Sequence, residues 1–152
     1  MLCVFSILIS AVPVAVLAGI HQKGHAKNYM ERKVSGPLIL SAEWQEITLE
    51  EPLHPERMFQ RIILDLKESV VPDYRVWGLR LKDGAVVVPE VELVSDDRTY
   101  TLKCRALSAE SMQFALNDLP KDRVYSKVRI RAARPIKCSR IAWRCYDPWD
   151  RK

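Results

Sequence analysis

The chain has 152 residues, 48% apolar and 28% charged, with a formal net charge of +5. That leaves room for one folded domain of ordinary size, and it is too apolar for a disordered chain. Five glycines with no Gly-x-Gly spacing exclude a phosphate-cradling loop or a dinucleotide-binding turn.

Residues 1–20, Met1 to Ile20, carry no charge. A helix of that length spans about 30 Å, the thickness of a bilayer core. The segment is expected to be one N-terminal transmembrane or signal helix, with the membrane as the first partner of the chain. Three readings compete: an uncleaved anchor, a signal peptide cut after Ala18, and a buried core helix. The lack of a basic residue before the run, and its length, favour the anchor.

Residues 21–37 read as a basic juxtamembrane linker. Lys23, Lys27, Arg32 and Lys33 stand there against Glu31 alone. The positive-inside rule would hold this flank in the cytoplasm. An apolar leader ahead of a β-rich domain instead suggests export. We expect a single-pass membrane protein with an extracytoplasmic domain, and the orientation stays open. His21 and His25 share a helical face, but no third ligand is nearby, so no metal site is expected.

From Leu38 the pattern turns to period two, and residues 38–152 read as the folded domain. The runs Trp44 to Leu49, Met58 to Leu66, Tyr74 to Leu81 and Val86 to Val94 read as strands. So do Arg98 to Leu107, Tyr125 to Ala132 and Cys138 to Tyr146. Ser111 to Leu116 fits a strand or a short helix. Asp83-Gly84 and Ser95-Asp96-Asp97 are turn signals. Pro89 lies inside a run and predicts an edge or a bulge. About eight short strands without a long helix predict an all-β fold, an antiparallel β-sandwich.

The last strands read Lys127-Val128-Arg129-Ile130-Arg131, Arg134-Pro135-Ile136 and Ile141-Ala142-Trp143. This stretch resembles the closing strands of galactose-binding-like jelly rolls of the discoidin and carbohydrate-binding-module type. The resemblance implies an eight-stranded jelly roll whose loops at one end bind sugars, lipid head groups or proteins. Many discoidin-type domains join their two ends by a disulfide. Here Cys145 has no cysteine near Trp44 to pair with.

Cys104, Cys138 and Cys145 allow at most one bridge. Cys138 and Cys145 are seven apart, so on one unbroken strand they face opposite ways. Inert packing is the simplest role for the thiols.

Charge is uneven. Residues 37–120 hold 9 basic and 15 acidic side chains, whereas 121–144 hold 9 basic against Asp122 alone. Lys127, Arg129 and Arg131 alternate with Val128 and Ile130, so they share one face of a strand. If the last two strands are neighbours, Arg144 and Tyr146 join them in a basic ligand-binding face. Such a face could take an anionic glycan, a nucleic acid or an acidic lipid head group, and a partner protein is the other ligand expected of the domain. The opposing reading pairs these cations with Glu90, Glu92 and other acids on adjacent strands. Nucleic acid fits poorly, because Tyr146 is the only aromatic to be placed there. Trp44 and Trp77 read as core residues.

His54 is the only histidine in the domain, and no Gly-x-Ser-x-Gly motif accompanies it. Glu50-Glu51 and Asp96-Asp97 are neighbours in sequence, without a cleft between them. No catalytic residue, metal or cofactor is assigned. The function read from the sequence is a membrane-anchored, non-catalytic binding module of the cell envelope, for a glycan or a partner protein. A cytoplasmic-side, membrane-tethered scaffold or adaptor subunit is the second reading. A small envelope enzyme centred on His54 is the third.

Overall fold

A computed structural model describes residues 29–55 and 59–146, without the side chains of Tyr29 and Tyr146. The expected helix at residues 1–20, both linker histidines and Trp149 lie outside the described residues. Among the described residues no helix is long and apolar enough to cross a membrane.

The strands are β1 (Tyr29–Ser35), β2 (Leu38–Leu40), β3 (Gln45–Leu53), β4 (Phe59–Leu66) and β5 (Val71–Asp73). They continue with β6 (Gly78–Arg80), β7 (Val86–Val87), β8 (Glu90–Ser95), β9 (Arg98–Thr101) and β10 (Lys103–Leu107). Then come β11 (Ser111–Ala115), β12 (Tyr125–Arg131) and β13 (Ile136–Tyr146).

One antiparallel sheet runs β1-β13-β4-β11-β10, with β2 also on β13. A second runs β3-β12-β8-β9, and β5-β6-β7 make a small third. The expected all-β class and antiparallel pairing are therefore present, in a sandwich-like arrangement. The inward residues follow the period of two. Ile62 and Leu64 of β4 and Ile141, Trp143 and Cys145 of β13 come from the first sheet. Val91 and Leu93 of β8 and Val128 and Ile130 of β12 come from the second, and all nine belong to one buried cluster. Each such aliphatic side chain contributes about 1.5–3 kcal/mol by leaving water.

The strand count exceeds the expected eight because two of the runs are broken and β1, β2 and β5 lie outside the expected runs. Val88-Pro89 interrupts the run from Val86, so β7 lies in the small sheet and β8 in the second. Proline offers no N–H to the ladder, so a break there costs no hydrogen bond. Leu102 likewise separates β9 from β10 and carries the chain from the second sheet to the first. Its N–H donates to the Val91 carbonyl at 2.8 Å. Ser111–Ala115 is a strand, which removes the helical option.

The sheet also begins earlier than the sequence suggests. Residues 29–35, read as linker, form β1 against β13, with Glu31 opposite Arg144 and Arg32 opposite Trp143.

A bulge in β13 resolves the cysteine phase. The register shifts between Cys138 and Arg140, so Cys138 turns inward together with Ile141 and Cys145. An extra residue in one strand reverses the alternation from that point on. Cys104, Cys138 and Cys145 are all free thiols. Burial pushes the Cys138 thiol up to about 12, with Glu68 and Asp65 adding to the shift, so it stays protonated.

Candidate functional site

Lys127, Arg129 and Arg131 do share the outer face of β12, as the alternation predicts. Central placement of β12 puts β3 on one side and β8 on the other. Arg129 stands opposite Glu46 and Glu92, and Arg131 opposite Glu90. Lys127 pairs with Glu46 at 2.7 Å, Arg129 with Glu92 at 3.5 Å and Arg131 with Glu90 at 2.9 Å. The face is a cross-strand charge ladder, and each cation on it already holds a carboxylate.

The other two residues of the expected basic face are elsewhere. β13 does not neighbour β12; the two strands lie in different sheets. Arg144 sits on the outer face of the first sheet, where its guanidinium donates to Glu31 at 2.9 Å. Arg140 also pairs with Glu31, at 2.6 Å, and with Asp65. Tyr146 closes β13 opposite Tyr29 and Phe59, and its side chain is outside the described residues.

Neither Trp44 nor Trp77 is a core residue. Trp44 is half-buried on the outer face of the second sheet, under Arg129 at 4.8 Å and Arg131 at 4.5 Å. Guanidinium planes over an indole gain from its ring quadrupole. Among the described residues the buried tryptophan is Trp143, whose Nε1 donates to Gln60 Oε1 at 3.0 Å. Gln60 in turn donates to the His54 carbonyl at 2.7 Å, which ties the loop after β3 to the core. The His54 side chain is exposed. Asp96 and Asp97 are exposed in the β8–β9 turn, where Asp96 adopts φ 50°. Among the described residues no cluster of His, Cys, Asp or Glu is arranged to hold a metal.

Two clefts meet where β1 and β3 edge their sheets. The larger, about 460 Å³, includes Arg32, Leu49, Glu51 and Trp143. Arg32, in its lining, stacks on Trp143 at 4.7 Å and pairs with Glu51 at 2.6 Å.

The small sheet carries the most distinctive surface. Asp73, buried at the end of β5, organises it. Its carboxylate accepts from the Arg75 backbone N–H at 3.2 Å and from the Arg80 guanidinium at 2.8 Å. These contacts tighten the turn Tyr74 to Trp77. They also hold the Asp73 carboxyl below its ordinary value, the Arg75 side-chain hydrogen bond most of all, while burial opposes it. Trp77 leaves the turn at φ 54°, a region that bulky residues rarely occupy. Gly78 must follow: a Cβ there would lie 2.8 Å from the Val87 carbonyl oxygen.

The result is an outward-facing apolar group. Val71, Arg80 and Val86 stand in one row across the three strands, and the adjacent row, Pro72, Leu79 and Val87, faces inward. Six of the ten exposed large apolar side chains among the described residues fall here: Val71, Tyr74, Val76, Trp77, Val86 and Val88. Tyr74 also reaches across, its hydroxyl donating to the Leu107 carbonyl at 3.3 Å. A groove of about 390 Å³ runs between Trp77 and the β9–β10 edge.

No family model, curated protein or solved structure matches this chain.

The sequence reading missed the apolar group. Its signal was Tyr74-Arg75-Val76-Trp77-Gly78, which alternates like a strand but contains a glycine directly after two large side chains. The Asp73 turn and the left-handed Trp77 convert that segment from strand to projecting loop.

Proposed function

We propose that the chain is a non-catalytic, membrane-anchored binding module of the cell envelope whose ligand is a partner protein. One observation carries the choice of ligand: six large apolar side chains are exposed on β5–β7, its turn and Val88 directly after it. Scattered exposed apolar residues need no explanation, but a grouped set marks an interaction surface. Tyr and Trp are the side chains that most often dominate protein interfaces. A glycan on the basic face is disfavoured, because Glu46, Glu90 and Glu92 already offset its positive charge and Arg129 and Arg131 are also stacked on Trp44.

The anchor in this reading rests on the charge-free run Met1 to Ile20. The proposed fold class is the galactose-binding-like jelly roll. Antiparallel sheets around one core support it.

Site-specific photo-crosslinking of the full chain in native membranes tests the reading. A photoreactive residue at Val76 is expected to give one discrete protein adduct that resists glycosidases. The same probe at Thr99, on the outer face of the second sheet, is expected to give none. Absence of a protein adduct at Val76, or an equal adduct at Thr99, would contradict the reading. Protease access to a C-terminal tag in sealed vesicles separates the envelope module from a cytoplasmic scaffold.

A further inference from the structure

The groove beside the apolar group has a definite electrostatic character. β9 ends the second sheet and β10 ends the first, so each has a side without a neighbouring strand among the described residues. Both strands lie in the stretch 98–107, which contains Arg98, Lys103 and Arg105 and no acidic residue. The groove walls are Trp77 and Val88 on one side and Leu102, Lys103, Cys104 and Arg105 on the other.

The charges differ from those on β12. Lys103 has no ion-pair partner among the described residues. Arg105 meets Asp118 at 3.1 Å, with both side chains more than half exposed. An exposed pair of this kind is worth about 0–1 kcal/mol, so a ligand carboxylate can displace it. Glu90 also touches the groove, but Arg131 holds its carboxylate at 2.9 Å. Basic side chains on an edge strand discourage pairing with copies of themselves and leave the edge open to an acidic segment.

We infer that the groove between Trp77 and the Thr101–Arg105 edge receives an extended acidic peptide segment of the partner protein. An apolar side chain of that segment seats against Trp77 and Val88, and its carboxylates meet Lys103 and Arg105. Alternating side-chain pockets along an unpaired edge are a general mode of peptide capture. This inference rests on the partner-protein reading above and names the chemistry of the partner.

Cys104 supplies a built-in reporter. It is half-buried in the groove wall, whereas Cys138 and Cys145 are buried. The experiment uses the full chain in detergent micelles and three synthetic peptides. One has glutamates flanking a central leucine, the second replaces the glutamates with lysine, and the third replaces the leucine with alanine. Binding is followed by fluorescence anisotropy, and maleimide alkylation of Cys104 is followed by mass spectrometry.

The glutamate peptide is expected to bind at least about tenfold tighter than the other two and to slow alkylation of Cys104. K103E combined with R105E should remove that preference, with thermal melts showing that the variant is folded. Trp77→Asn, which keeps a residue tolerant of positive φ, should weaken binding without unfolding the chain.

Equal binding of the glutamate and lysine peptides would overturn the inference. So would binding that leaves Cys104 alkylation unchanged, or a self-associated chain whose Cys104 is protected without peptide. A protein adduct at Val76 together with no peptide preference would sink the acidic segment and leave the partner-protein reading standing. Loss of both would end both.

Discussion

The guanidinium of Arg131 lies 4.5 Å from the centre of the Trp44 indole while also pairing with Glu90 at 2.9 Å. One cation is thus held by a ring beneath it and a carboxylate beside it. The same holds for Arg129, between Trp44 and Glu92. The face that looks most basic in sequence is therefore close to neutral in its local field.

This has a measurable consequence for polyanion binding. Removing the acids should release the cations. Glu90→Gln combined with Glu92→Gln is expected to elute from a sulfated-polysaccharide resin at clearly higher salt than the parent. Asp96→Asn combined with Asp97→Asn removes the same charge from the β8–β9 turn and is expected to shift elution less. Equal shifts would mean that only net charge matters and that the ladder is not self-neutralising.

Alternation alone places Lys127, Arg129 and Arg131 on one face, because strand geometry has a period of two. It cannot say which strands lie beside them. Arg144 has the right local pattern, yet its strand belongs to the other sheet. The same limit applies to Trp44 and Trp77: both alternate with apolar residues, but one lies under two arginines and the other leaves a turn at positive φ. Breaks in the pattern were legible only in part. Pro89 announced a break through its missing N–H, whereas the bulge beside Ser139 carries no marker residue.

The turn of the small sheet predicts opposite responses at adjacent positions. Trp77→Asn relieves a left-handed backbone that costs a bulky residue of order 1–3 kcal/mol, so stability should hold or rise. Gly78→Ala puts a methyl group 2.8 Å from the Val87 carbonyl, which must move. Overpacking of this kind costs about 1–3 kcal/mol. Urea denaturation of the two variants checks the pair. A destabilised Trp77→Asn with an unaffected Gly78→Ala would refute the turn geometry.

Asp73 makes that turn sensitive to acid. Its carboxyl is held below the ordinary value of 3.8, first by the Arg75 side-chain hydrogen bond. A depressed folded-state value means that the ionised form favours the folded chain above the ordinary value. The contribution is lost as pH falls from 3.8 through the folded value. Thermal melts are expected to show Tm falling across that window. Asp73→Asn should start from a lower Tm at neutral pH and decline less steeply. Asp83, depressed by its hydrogen bond from the Ala85 N–H and by Arg134, supplies part of the remaining slope. An identical decline in parent and variant would remove Asp73 from this role.

Hydroxyl-radical footprinting tests most directly whether the apolar group is covered by a protein. Oxidation of Tyr74, Trp77 and Trp44 is compared in three samples: native membranes, vesicles stripped of other proteins, and the purified full chain. The account predicts that Tyr74 and Trp77 are protected in native membranes alone, while Trp44 reacts equally in all three. Equal oxidation of Tyr74 and Trp77 in every sample, or protection that persists in the stripped vesicles, would contradict it.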